Sequence, residues 1–186
     1  MANTDSPFGL KPTGFVFPPN KYILTATYAT AMGIGDPVVG VAAGTVNKAT
    51  AGTGNPLLGV AAGFESAAGL ATAYYTASSA GTWYIWVWDN PIQEFIAQDD
   101  GDTTQIALAD NFNSANLIFT HAASSITGLS GVEINSSDAA TAFDAADQVR
   151  ILGLVDMPEN ALGANAKWRV IIQNHMKTAS IVGVGV

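Results

Sequence analysis

Two imidazoles, His121 and His175, and fifteen carboxylates are the groups with which this 186-residue chain could run acid–base chemistry. A hydrolytic triad needs a hydroxyl nucleophile, a histidine base and a carboxylate that meet in space. Ser124 and Ser125 follow His121, but adjacency along the chain does not build a triad, and no Gly-x-Ser-x-Gly elbow is present. His121 therefore reads as a structural or surface residue. His175, within Gln173-Asn174-His175-Met176, reads as a strand-end residue directed to solvent or an interface. Glycoside hydrolysis needs paired carboxylates. Glu94 lies on an apolar strand with Asp89 just upstream, yet Asp89 reads as a turn former and Glu94 as facing solvent or a neighbouring subunit. Asp99-Asp100-Gly101-Asp102 resembles half a calcium loop without the spaced ligands and closing glutamate, and reads as a hairpin turn. Gly33-Ile34-Gly35 is followed by Asp36-Pro37 and a strand, not by a helix whose N-terminus holds an anion. No cysteine is present, which removes thiolate and disulfide chemistry. No catalytic residue, metal or cofactor is expected.

The aromatic run Trp83-Tyr84-x-Trp86-x-Trp88 is the remaining feature with ligand chemistry, since such rings stack on sugars. Strand alternation sends Trp83, Ile85 and Val87 to one face and Tyr84, Trp86 and Trp88 to the other, so the rings do not form one platform. Core and subunit interface is the favoured reading, with Trp86 and Trp88 at the oligomer boundary.

These side chains must be held by a chain that is 48% hydrophobic and 12% charged. The first figure allows a sizeable core. The second is about half the usual share for a soluble domain, which points to surface covered by partners. No apolar run approaches the ~20 residues of a spanning helix, so no membrane partner is expected. Fifteen acidic residues stand against seven basic ones, net −8, and the basic residues, scattered from Lys11 to Lys177, are expected to form no patch. Nucleic-acid binding, which needs clustered cations against phosphate, is not expected. The opening lacks a basic and apolar leader, so a cytosolic start without a secretory signal is expected.

Short apolar or alternating runs punctuated by Gly, Pro, Asn and Asp predict an all-β chain. Strands are expected at 22–30, 38–41, 56–61, 82–88, 92–97, 117–120, 149–155 and 168–173, with one helical turn within 104–113. Ser136–Val149 is the single plausible helix. Pro7, Pro12, Gly9 and Gly14 forbid a helix near the start and interrupt a strand ladder, yet Phe8 and Leu10 sit among them. Residues 1–20 therefore read as an extended arm that docks on another surface, and residues 21–186 as a β-rich body. Phe8, Leu10 and Pro12 are the docking candidates.

Six blocks in order carry a family resemblance. They are Ala2-Asn3-x-Asp5-x-Pro7-Phe8-Gly9-Leu10-Lys11-Pro12, then Gly35-Asp36-Pro37-Val38, then Leu58-Gly59-Val60-x-x-Gly63, then Asp89-Asn90-Pro91. Arg150-Ile151-Leu152-Gly153-Leu154-Val155-Asp156-x-Pro158-x-Asn160 and Ala166-Lys167-x-x-Val170 complete the set. Together they resemble the capsid decoration, or cement, proteins of tailed bacteriophages. Trp83–Trp88 and the apolar run Ile181-Val182-Gly183-Val184-Gly185-Val186 lie outside these blocks.

The resemblance implies a non-enzymatic virion protein on the outer capsid surface. It implies a homo-oligomer, a trimer, that bridges neighbouring copies of the major capsid protein. The expected architecture is a single β-sandwich or jelly-roll-like domain with an extended N-terminal arm. The alternatives are a carbohydrate-binding or host-recognition module using the Trp83–Trp88 cluster, a hydrolase using His121 or Glu94, and a tail or baseplate component.

Overall fold

Turn-forming residues recur so often that no strand among the described residues runs long; the longest of them, Gly59–Ser66, has eight residues. The computed structural model describes residues 3–52, 54–139 and 143–178. In chain order its strands are β1 (Lys11–Thr13), β2 (Asn20–Ile23), β3 (Met32–Gly33), β4 (Pro37–Gly40), β5 (Val46–Lys48), β6 (Gly59–Ser66), β7 (Ala71–Thr72) and β8 (Tyr74–Tyr75). They continue as β9 (Trp83–Trp88), β10 (Glu94–Gln98), β11 (Ser114–Ala115), β12 (Leu117–His121), β13 (Gly131–Ile134), β14 (Val149–Leu154) and β15 (Lys167–Ile172). The chain is all-β, a sandwich-like packing of antiparallel sheets. No helix among the described residues is long and apolar enough to cross a membrane.

One sheet runs β1-β10-β15-β14-β11, and a second runs β2-β9-β6-β4-β5 with β7 on β6. Small ladders pair β12 with β13 and β3 with β8. Two apolar clusters follow from the alternation of these strands. Phe95, Trp168, Val170, Ile151 and Leu117 form the core beneath the five-stranded sheet. Phe64, Tyr75, Ile85, Val87 and Met32 form the core beneath the six-stranded one. On β9 the buried pair is Ile85 and Val87, as alternation requires. Trp83 packs against the second cluster and Trp88 against the first.

Several expectations are corrected. The arm expected over residues 1–20 is built into the body through its middle. β1 pairs with β10 in the register Lys11↔Ile96 to Thr13↔Glu94, and Leu10 is fully buried in the first core. Residues 14–19 bend at Gly14 and Phe15 and cross between the two sheets, fastened where Gln93 bonds Phe17 N and Thr13 O. Of the helix expected over 136–149, the described residues form one turn, Ser136–Ala139. Residues 140–142 lie outside the described residues, and Asp144–Gln148 form turns because their polar side chains bond backbone instead: Asp144 takes Ala146 N and Gln148 reaches Thr50 O. The expected turn at 99–102 is not a hairpin, because β10 pairs with β1 and β15 rather than with the segment that follows it. The apolar run 181–186 lies outside the described residues.

Candidate functional site: an apolar groove beside the five-stranded sheet

The groove begins with a backbone seam. Gly9 adopts φ +72° and Gly35 φ +92°, conformations that suit residues without a Cβ. Leu10 N donates to Gly35 O at 3.0 Å. A Cβ on Gly9 would lie 2.5 Å from both the Gly35 carbonyl oxygen and Ser130 Cβ. Next to the seam, buried Asp36 accepts bonds from Gly33 N (2.8 Å), Ser130 Oγ (2.6 Å) and Lys48 Nζ (2.9 Å). Gly9→Ala therefore combines left-handed strain with a backbone clash. A loss of about 2 kcal/mol or more is expected in a thermal melt, and an unchanged melting temperature would contradict the seam.

A second fastening secures the start of the described chain. Asn3 Nδ2 donates to Ala161 O and Ala164 O, and Asn3 Oδ1 accepts from Ala161 N. The Gln98 side-chain amide bonds the backbone of Ser6. Asn160 in turn bridges Val155 O and Lys167 O. Residues 3–13 and the 155–166 loop thus flank an apolar groove of about 530 Å³. Phe8, Pro12, Trp88, Ile96 and Met157 line it, with Lys11 and Lys167 at its margin.

Four of the five residues singled out from sequence converge here: Phe8, Leu10, Pro12 and Trp88 all contribute to the groove wall. Leu10 is a correction, because a side chain with no exposed surface anchors β1 and is not free to enter a partner. Trp86 lies apart. Its indole donates to Glu65 Oε2 at 3.3 Å, and Lys21 Nζ sits 4.3 Å from the Tyr84 ring centroid and 5.4 Å from that of Trp86. The cation, paired with Glu65, sits over Tyr84 and Trp86, two of the rings a sugar would stack on.

The acid–base candidates take structural places. His175 is a second correction: it is almost fully buried, not solvent-directed. Its Nδ1 accepts from Lys177 N, and its Nε2 is buried without a partner. Burial first, and then the Lys177 charge, hold its pKa down at about 4. Asp89 accepts from Asn20, the Tyr22 hydroxyl and Lys177 Nζ, the last at 2.5 Å. Burial opposes its ionisation, but the Lys177 bond and the other donors prevail and lower its pKa. Burial also pushes the Tyr22 hydroxyl up to about 12, reinforced by Asp89. Burial raises Asp99 to about 6 against the pull of Gly101 N and Asn165 N. Its neighbour Asp100 binds Ser136. His121 Nδ1 stands 3.5 Å from Glu133, and Glu94 stands 3.9 Å from Arg169. Among the described residues no three His, Asp or Glu side chains are grouped to hold a metal.

The basic residues are a third correction. Sequence spacing hides what strand register reveals. Lys11↔Ile96↔Arg169, Gln98↔Lys167 and Arg150↔Ile171 place Lys11, Lys167, Arg169 and Arg150 on the outer face of the five-stranded sheet. Four of the chain's seven cations therefore share one face. No protein-family model, curated protein or solved structure matches the chain.

Proposed function

We propose that the chain is a structural virion protein of a tailed bacteriophage, binding the outer surface of an icosahedral capsid and joining neighbouring major capsid protein subunits. The observation that carries this reading is the meeting in space of the ordered sequence blocks that resemble decoration proteins. The first block touches the second where Leu10 bonds Gly35, and reaches the 155–166 loop through Asn3. The third and fourth meet where a Cβ on Gly59 would strike the Trp88 carbonyl and Asp89. The fifth and sixth meet at Asn160 and Lys167. Blocks that interlock in this way act as one folding unit, which supports reading them together.

The surface supports the same reading. Exposed Phe15, Ile92, Phe112 and Ile126 on a chain with little charge suit a molecule that is covered by partners in use. The docking element changes from the sequence expectation: it is a face of the body beside β1, not a free arm. In a trimer, three weak contacts act together, and linked binding multiplies affinity by ~10²–10⁴. The sugar-binding alternative has less in its favour, since Lys21 covers Tyr84 and Trp86.

Light scattering on the purified protein, paired with sedimentation alongside empty shells of the major capsid protein, tests the proposal. A trimer that pellets with shells is expected. Protein left in the supernatant beside intact, bare shells would overturn it.

A further inference from the structure

We propose that the outer face of the five-stranded sheet is the docking surface, and that its partner is an acidic protein surface presenting an apolar side chain to the groove. The identity of that partner as the outer surface of the capsid shell rests on the decoration reading above; the chemistry of the face does not.

Ion pairing separates this face from the rest of the molecule. The three cations elsewhere are each committed to a carboxylate: Lys21 to Glu65, Lys48 to Asp36, and Lys177 to Asp89. On the sheet face only Arg169 has one, Glu94 at 3.9 Å with both side chains partly open to solvent. Lys11 and Lys167 have no carboxylate partner among the described residues, and Arg150 is held by Gln173 and the Phe143 ring instead. An acidic chain of net −8 thus gathers its uncommitted positive charge on one side. Charge complementarity then selects an acidic partner and steers its approach.

The groove supplies what charge alone lacks. Its walls are apolar, and Lys11 and Lys167 both border it. An apolar side chain flanked by carboxylates satisfies both features at once, with desolvation of the groove giving affinity and the two ammonium groups giving register. Pro12 in β1 lacks an N–H, which blunts the sheet edge beside the groove against adventitious strand pairing. Contact is thereby directed to the face.

The double variant K11E/K167E tests the assignment, with Lys21→Glu on the other sheet as control. Both lysines of the double variant are on the surface, and circular dichroism and melting temperature verify its fold. Shell binding is measured from about 0.02 M to about 0.3 M NaCl, a range over which the Debye length falls severalfold. Wild-type binding is expected to weaken with salt. The double variant is expected to lose at least about tenfold in low-salt affinity, with Lys21→Glu unchanged. A double variant that decorates like wild type, or a Lys21→Glu loss of equal size, overturns the face assignment. So does a double variant whose oligomer falls apart in light scattering, which would make the face a contact between copies. Retention on immobilised polyglutamate runs in parallel. Wild type that is retained there but ignores shells defeats the decoration reading while keeping the acidic-docking face, provided the double variant is not retained. Wild type that polyglutamate also fails to retain overturns the face.

Discussion

Leu10→Ala is expected to destabilise the protein by about 2–5 kcal/mol, the range for removing a fully buried leucine and leaving a cavity. Leu10 has no exposed surface and packs among the first-core residues. It immediately precedes β1, which pairs with β10, and its backbone N–H closes the seam with Gly35. Phe15→Ala, five positions on, is expected to change stability by no more than about 0.5 kcal/mol, because the ring is 76% exposed. Urea denaturation of both variants provides the measurement. A detachable arm would give the opposite ranking of consequences: Leu10→Ala would leave stability untouched and abolish docking alone. Deleting residues 2–14 should likewise compromise the fold, since it removes an edge strand and a core side chain together.

The second large effect concerns acid stability, where two buried groups oppose each other. His175 titrates near pH 4 in the folded chain against 6.5 when unperturbed, and Asp99 near pH 6 against 3.8. Between roughly pH 4 and 6 the folded state carries the Asp99 proton and a neutral His175. The unfolded chain carries the His175 proton and an ionised Asp99. Each state holds one proton, so these two groups add almost no slope to stability in that window. Separately, each shift is worth about 3 kcal/mol. His175→Gln leaves Asp99 alone, whose raised pKa makes stability rise as pH falls from 6 towards 4. Asp99→Asn leaves His175 alone, whose lowered pKa makes stability fall as pH drops from 6.5 towards 4. Opposite slopes in urea melts across this range are the expected result. Parallel profiles for the two variants would contradict the burial of these groups. Asp89 acts below the window, because its lowered pKa makes its stabilisation disappear only under stronger acid.

The comparison of sequence with structure turns on which features are local. Alternation along a strand is local, and Ile85 and Val87 on β9 were readable from it. So were β14 and β15, whose apolar runs are long enough to stand out. Proline and glycine near the start indicated irregular chain, but whether such chain packs on its own body or on another is a tertiary question. Gly9 and Gly35 answer it by allowing backbones to touch, a relation between positions far apart in sequence. The helix at 136–149 failed because Asp144 and Gln148 bond elsewhere, which composition alone does not reveal. His175 reads as a strand end, but β15 stops at Ile172 and His175 lies beyond it, in an isolated bridge to Leu57 with its ring buried. The basic face was invisible for the same reason as the seam. Lys11, Arg150, Lys167 and Arg169 meet only through the register of four strands.

Cryo-electron microscopy of shells mixed with the purified protein tests the central claim most directly. The expected density places the outer face of the five-stranded sheet on the shell, with Phe8, Pro12 and Trp88 at the contact and the rest of the six-stranded sheet turned to solvent. Bare shells, or density with the Tyr84–Trp86 face of the six-stranded sheet against the capsid, would contradict it.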